Sequence, residues 1–156
     1  MAVSGTLKIK VRRRITVEEL WRLINEYEYT FGSLDNLRSE LLASNDERLR
    51  RKLNEWINAL SALREYEEEG EEIFVKEEEI DPSVVRRLLT DNMVKLIREI
   101  ERGVVSISDL ARRLRRSVSN VYNDLQFLHR NGFVGFQKRG RHVMPYLLIE
   151  EIVIEF

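Results

Sequence analysis

Apolar and polar positions change rhythm several times along the chain, and each rhythm predicts an element. Leu7, Ile9 and Val11 alternate with Lys8, Lys10 and Arg12, the period of two expected of a half-buried strand. Thr16 followed by Glu19 makes a capping box, so a helix is predicted to open at Val17. Its apolar stripe is Leu20, Ile24, Tyr27 and Phe31, widened by Trp21 and Leu23, and Gly32 stops it. Ser33 caps a short helix through Leu34, Leu37 and Leu41. Ser44 with Glu47 reads as a second capping box. It opens a long helix in which Leu49, Leu53, Trp56, Leu60 and Leu63 recur at steps of four and three, a heptad-like seam. That helix decays into acidic residues around Gly70, after which Ile73, Phe74 and Val75 suggest a short strand.

Asp81 before Pro82 is an N-cap followed by proline at the first helical position, a strong start signal. Thr90 marks a break or a new cap, and a helix through Met93–Ile100 ends near Gly103. Ser106 with Asp109 opens another short helix with Ile107, Leu110 and Leu114 inward. A few residues later Ser117 caps a further helix, its inward face read as Val118, Val121, Leu125 and Leu128. Two short helices joined by so tight a turn form a helix-turn-helix. Gly132 ends the second of them. Phe133, Val134 and Phe136 then read as a strand, Lys138-Arg139-Gly140-Arg141 as a turn, and His142–Leu147 as the returning strand, a hairpin wing.

Composition narrows the classes. The chain has 156 residues, 43% of them hydrophobic and 34% charged, enough for one generous domain or two small ones. No apolar run approaches the roughly 18–20 residues of a membrane span, and MAVSGTLKIKVRRR lacks the apolar core of a leader, so a cytoplasmic protein is expected. With no cysteine, disulfides, thiol catalysis and cysteine metal sites are excluded. Few Met and abundant Glu, Lys and Arg resemble heat-adapted proteins. His129 and His142 stand apart without acids at ligand spacing, so neither metal nor cofactor is expected. No Ser/His/Asp set, phosphate loop or paired-carboxylate site is recognisable, so no enzyme is expected.

The net charge of −1 hides a strong polarity. Glu65–Asp81 is almost entirely acidic, opposed only by Lys76, and reads as a solvated connector or a contact for a basic partner. From Val104 to His142 the cations Arg112, Arg113, Arg115, Arg116, Arg130, Lys138, Arg139 and Arg141 face only Asp109 and Asp124. On the helix capped by Ser117, a rotation of 100° per residue sets Ser119, Tyr122, Asn123, Gln126 and Arg130 opposite the Val/Leu stripe, with Asn120 beside them. That face holds donors, acceptors and an aromatic edge without an acid, which suits base edges in a major groove. The helix N-terminus at Ser117 offers N–H groups to a phosphate. Arg112, Arg113, Arg115 and Arg116 at the turn, with Lys138, Arg139 and Arg141 at the wing, would neutralise the backbone on either side.

In this order LLTDNMVKLIREI, SISDLARRL, RSVSNVYNDLQFL and NGFVGFQKRGRHVMPY resemble the MarR/ArsR-like winged-helix transcriptional regulators, and most of all a set of small, largely archaeal regulators, some antitoxin-like. The resemblance covers roughly 88–156, and more weakly the opening strand and helix. It implies that 117–131 is the recognition helix and 138–141 the wing. It also implies a glycine in the turn where this chain has Arg115, a substitution costing ~1 kcal/mol if the backbone there needs positive φ.

The expected fold class is mainly α with a small β component. Residues 1–80 form an N-terminal strand and helical dimerisation region with an acidic connector, and 81–156 a winged helix-turn-helix. The expected function is a homodimeric, sequence-specific regulator of transcription on double-stranded DNA. The alternative is a protein-interaction module, such as an antitoxin neutralising a basic toxin. The seam Leu49, Leu53, Trp56, Leu60 and Leu63 is assigned to the dimer interface, with packing inside its own chain as the other reading. Trp21 and Trp56 are core or interface residues.

Overall fold

A computed structural model describes residues 7–156; Met1–Thr6, part of the segment read above as lacking a leader core, lie outside the described residues. In chain order the elements are β1 (Lys8–Arg14), α1 (Val17–Phe31), α2 (Leu34–Ser44), α3 (Glu47–Glu69), β2 (Val75–Glu79), α4 (Pro82–Leu88), α5 (Asp91–Arg102), α6 (Ile107–Leu114), α7 (Val118–Arg130), β3 (Val134–Arg139), β4 (His142–Leu147) and β5 (Ile149–Glu155). The chain divides into two compact units, Arg14–Val75 and the rest. The fold is mainly α with small antiparallel sheets, and the second unit is a winged helix.

In that winged-helix unit β1 is the middle strand of a sheet ordered β2-β1-β5, antiparallel to β5 with Ile9 opposite Ile154 and Val11 opposite Ile152. The period of two holds for Ile9 and Val11, which are buried with Arg13 while Lys8 and Arg12 are exposed, but Leu7 precedes the strand and is itself exposed. Charge explains why these strands combine. The basic β1 lies between two acidic strands, with Lys10 near Glu77 and Glu155 (3.9 and 3.8 Å), Arg12 on Glu151 (3.2 Å) and the buried Arg13 on Glu78 (2.8 Å). The exposed pairs add little stability, yet they disfavour other registers.

Val11 joins a core with Leu96, Leu110, Val121, Leu125, Leu128 and Phe133, all fully buried. Burying each such aliphatic side chain contributes roughly 1.5–3 kcal/mol. Two expectations change here. Val118 is 50% exposed, so the inward face of α7 is Val121, Leu125 and Leu128, with Phe127 added. The wing turn is tighter than Lys138–Arg141: Lys138 and Arg139 extend β3 opposite Val143 and His142, leaving only Gly140 and Arg141 between the strands. Gly140 supplies positive φ, as a two-residue hairpin requires.

The other unit is three helices. Thr16 and Ser33 cap α1 and α2 as expected, accepting from Glu19 N and Asn36 N. Ser44 does not cap α3. It closes α2, its hydroxyl donating to the Glu40 carbonyl, and Asp46 is the cap, accepting from Arg48 N (2.9 Å). The seam is also reassigned. Leu53 and Trp56 pack with Leu37 of α2, and Leu63 packs with Ile15, Leu20 and Ile24 on the α1 side, with Leu49 and Leu60 at the margins. Trp56 is 2% exposed, its ring stacked 5.6 Å from Tyr27. Residues already buried by their own chain cannot meet a second one, so the seam is an internal core rather than a dimer interface. Trp21, by contrast, is 46% exposed.

The acidic stretch keeps most of its carboxylates in solvent, as expected of a solvated segment, but it is built into regular elements. Glu65–Glu69 end α3, Gly70 caps it in the left-handed region, and Glu72 accepts from the Val17 N–H (2.6 Å), satisfying the start of α1. Strand β2 falls on VKEEE rather than on Ile73–Val75, because β1 offers it a basic neighbour. The division of the chain therefore differs from a cut at residue 80: β1 packs with the C-terminal winged helix, far along the sequence.

Candidate nucleic-acid interface

The site is built on α6, the turn after it, α7 and the wing. Ser106 caps α6, its hydroxyl accepting from Asp109 N (3.0 Å). The buried Asp109 carboxylate accepts from Val105 N (3.3 Å) and from Arg112, and forms an ion pair with Arg113 (3.2 Å). The Arg112 hydrogen bond first, and the Val105 N–H second, hold this carboxyl below the usual range against its burial.

After Leu114 the chain turns through Arg115 at φ 54, ψ 44, the left-handed region. The Arg116 N–H reaches the Ala111 carbonyl (3.0 Å) and the Arg115 N–H reaches Arg112 (3.2 Å), the paired bonds of a Schellman ending. Glycine is the usual residue there, and the arginine costs about 1 kcal/mol. Ser117 then caps α7, accepting from Asn120 N (3.2 Å).

With Val121, Leu125 and Leu128 fully buried, the opposite face of α7 is open: Ser117, Ser119, Asn120, Tyr122, Asn123 and Arg130 are exposed and Gln126 half-buried. The side chains of Ser119, Tyr122, Asn123, Gln126 and Arg130 make no hydrogen bond or ion pair among the described residues. Their polar groups are available to a ligand, and no acid shares the face.

The structure sorts the cations, which charge counting treats alike. Arg116 is 20% exposed in its side chain and bonded to Asp124 of α7 (2.7 Å), which also faces Arg87 of α4 (3.5 Å). The Arg87 guanidinium lies 4.1 Å from the Phe127 ring centre. Arg116 thus braces the helix-turn-helix and is withdrawn from direct phosphate contact, one Nη being buried without a partner. Arg113 is held by Asp109, Glu99 (3.8 Å) and the Gly103 carbonyl (3.0 Å). Arg112 is bound to Asp109 yet stays 80% exposed. Arg115, Arg130, Lys138, Arg139 and Arg141 are exposed and without an ion pair among the described residues.

Sequence reading noted Asp124 only as an opposing charge and missed its bracing contacts, Arg87 and the Gly135–Tyr146 pair. Arg87 lies 37 positions before Asp124, so no helical spacing announces it. Gly135 sits opposite Tyr146 at the base of the wing, and a β-carbon there would lie 2.5 Å from the tyrosine ring. An alanine would lift that ring and re-aim β3, which packs against α7. His129 is engaged with the Val134 carbonyl (3.3 Å) and the Phe136 ring, and no group of metal-ligating residues occurs among the described residues.

The family model described as HVO_A0114 matches residues 88–154. No curated protein matches the chain. Among solved structures, reduced HlyU from Vibrio cholerae N16961 is similar at 24% identity and a TM-score of 0.38, covering 42% of this chain and 70% of that one. The family match spans α5 to β5, hence the whole helix-turn-helix and wing, and leaves the helical unit Arg14–Val75 outside it.

Proposed function

We propose that this chain is a regulator of transcription that binds double-stranded DNA, reading base edges with the exposed face of α7 and holding the backbone with the wing and the turn. One observation carries the reading: a helix pinned by Val121, Leu125 and Leu128 turns outward a row of uncommitted donors, acceptors and a cation. Asn123 suits a bidentate pair with adenine, and Tyr122 and Ser119 flank it. Arg112, Arg115, Lys138, Arg139 and Arg141 supply phosphate contacts. The protein acts in the cytoplasm as a homodimer on a two-fold operator, and as a binding protein rather than an enzyme. No helix among the described residues is long and apolar enough to cross a membrane. The resemblance to MarR/ArsR-like regulators supports the same reading.

Salt dependence tests it. Binding to duplex DNA should weaken linearly in log–log form as salt rises, with a slope of about −0.9 for each phosphate neutralised. Absence of duplex binding at low salt, or binding indifferent to salt, would sink the proposal.

Charge favours a second role for the helical unit. Arg14–Val75 carries 8 Lys and Arg against 15 Asp and Glu, whereas the remainder carries 18 against 12. So acidic a surface suits a basic protein, as in an antitoxin holding its toxin. A stoichiometric complex with a small basic protein encoded beside it, broken by salt, supports that role.

A further inference from the structure

Among the described residues β5 pairs with one strand only, β1, and is the edge of its sheet, where only the Ile149 N–H is turned to another loop, donating to the Phe133 carbonyl (3.2 Å). The opposite edge, β2, is guarded by Lys76, Glu77, Glu78 and Glu79. β5 is not guarded in that way, since four of its seven residues are Ile149, Ile152, Val153 and Ile154. A groove of about 440 Å³ lies between this strand and α4 and α5, lined by Leu89, Val94, Ile97, Ile149 and Ile152 among others. Leu89 is 61% exposed and Ile154 45%. An open strand edge beside an uncovered apolar groove is a combination that sheets avoid unless something covers both.

We propose that a second copy of this chain covers them, β5 pairing antiparallel with its own copy about a two-fold axis at Ile152, so that two three-stranded sheets become one of six. This rests on the homodimer of the function proposed above and names its surface, which α3 does not provide. The register of charge carries the choice. With the axis at Ile152, Glu150 faces Ile154, Glu151 faces Val153 and Glu155 faces Ile149, so no carboxylate opposes another. A parallel, in-register pairing would set all three glutamates against themselves. The groove rim also carries both signs. Arg98 and Glu101 are exposed, neither has an ion pair among the described residues, and a two-fold axis can set each against the other.

The test is the association state of the full chain. Sedimentation should show a dimer, and the double variant Leu89→Glu/Ile154→Glu should associate about a hundred-fold more weakly. Because that variant can also lose its fold, a covalent probe accompanies it. The chain has no cysteine, so an equimolar mixture of the single variants Glu151→Cys and Val153→Cys sets unlike thiols directly opposite one another in the proposed register, whereas a parallel in-register pairing would set like thiols together. Mild oxidation should convert the mixture to a covalent dimer of the two unlike variants, while each alone, and Glu79→Cys on β2, shows no covalent dimer. A monomeric wild type, or a dimer in which the β5 cysteines fail to cross-link, would overturn the surface. DNA binding measured on the same samples separates the two proposals. A β5 dimer that ignores DNA overturns the regulator alone, and a monomer that binds DNA overturns the surface alone.

Discussion

At Arg115 the backbone and the side chain make opposite demands. Its left-handed conformation would be relaxed by glycine, while its guanidinium is one of the few at the turn without a carboxylate partner. Arg115→Gly should therefore raise stability by about 1 kcal/mol and lower the magnitude of the DNA salt slope by about 0.9. Thermal melts and salt titrations check the two halves separately; a variant that melts earlier shows that the side chain, not the backbone, dominates. Asn123 and Arg139 form a second contrast. Asn123→Ala should cost ~1–3 kcal/mol on the cognate site and leave random DNA unaffected. Arg139→Ala should weaken both alike and reduce the slope by about one unit. Unchanged operator affinity in Asn123→Ala would show that this side chain reads no base.

For the helix-turn-helix, the relevant unit is the pair of carboxylates that organise its arginines. Asp124 ties α4 and the turn to α7, and Asp109 ties the last turn of α6 to its own start. Asp109 gives a pH signature. Its folded pKa lies below the ordinary value of about 3.9, so its stabilisation is present above that value and is lost as pH falls through the folded one. The stability gap between wild type and Asp109→Asn should be constant from about pH 7 to 5 and close below about pH 4. Chemical denaturation across that range measures it. A gap that persists undiminished in acid would show that the carboxylate's charge is not what holds α6.

For the whole molecule, the sheet crosses the sequence more than any other element does. β1 lies some 140 residues from β5, yet Val11 is fully buried in the core that supports α7. A fragment 81–156 retains every DNA-facing residue and loses β1, the strand that pairs with β5, together with β2 beyond it. It should lose roughly 1.5–3 kcal/mol for each of Ile9 and Val11 and melt well below the corresponding unit of the full chain. Circular dichroism of the two checks this. Equal melting temperatures would show that the sheet adds nothing to the winged helix.

What the sequence determined by itself was local. The caps at Thr16, Ser33, Ser106 and Ser117, the hairpin and the open face of α7 all follow from interactions within a few residues, where spacing and side-chain chemistry suffice. The acidic stretch and the leucine seam were legible as patterns but not as contacts. A seam states that one face is apolar, and only the placement of α1 and α2 decided that their own chain covers it. The charges follow the same rule. Eight cations between Val104 and His142 look equivalent along the chain, and tertiary structure alone brought Asp124 to Arg116 and to Arg87. The physical reason is that an ion pair or a strand pairing depends on distance in space, and separations of 8 to 140 residues leave no period in the sequence to read.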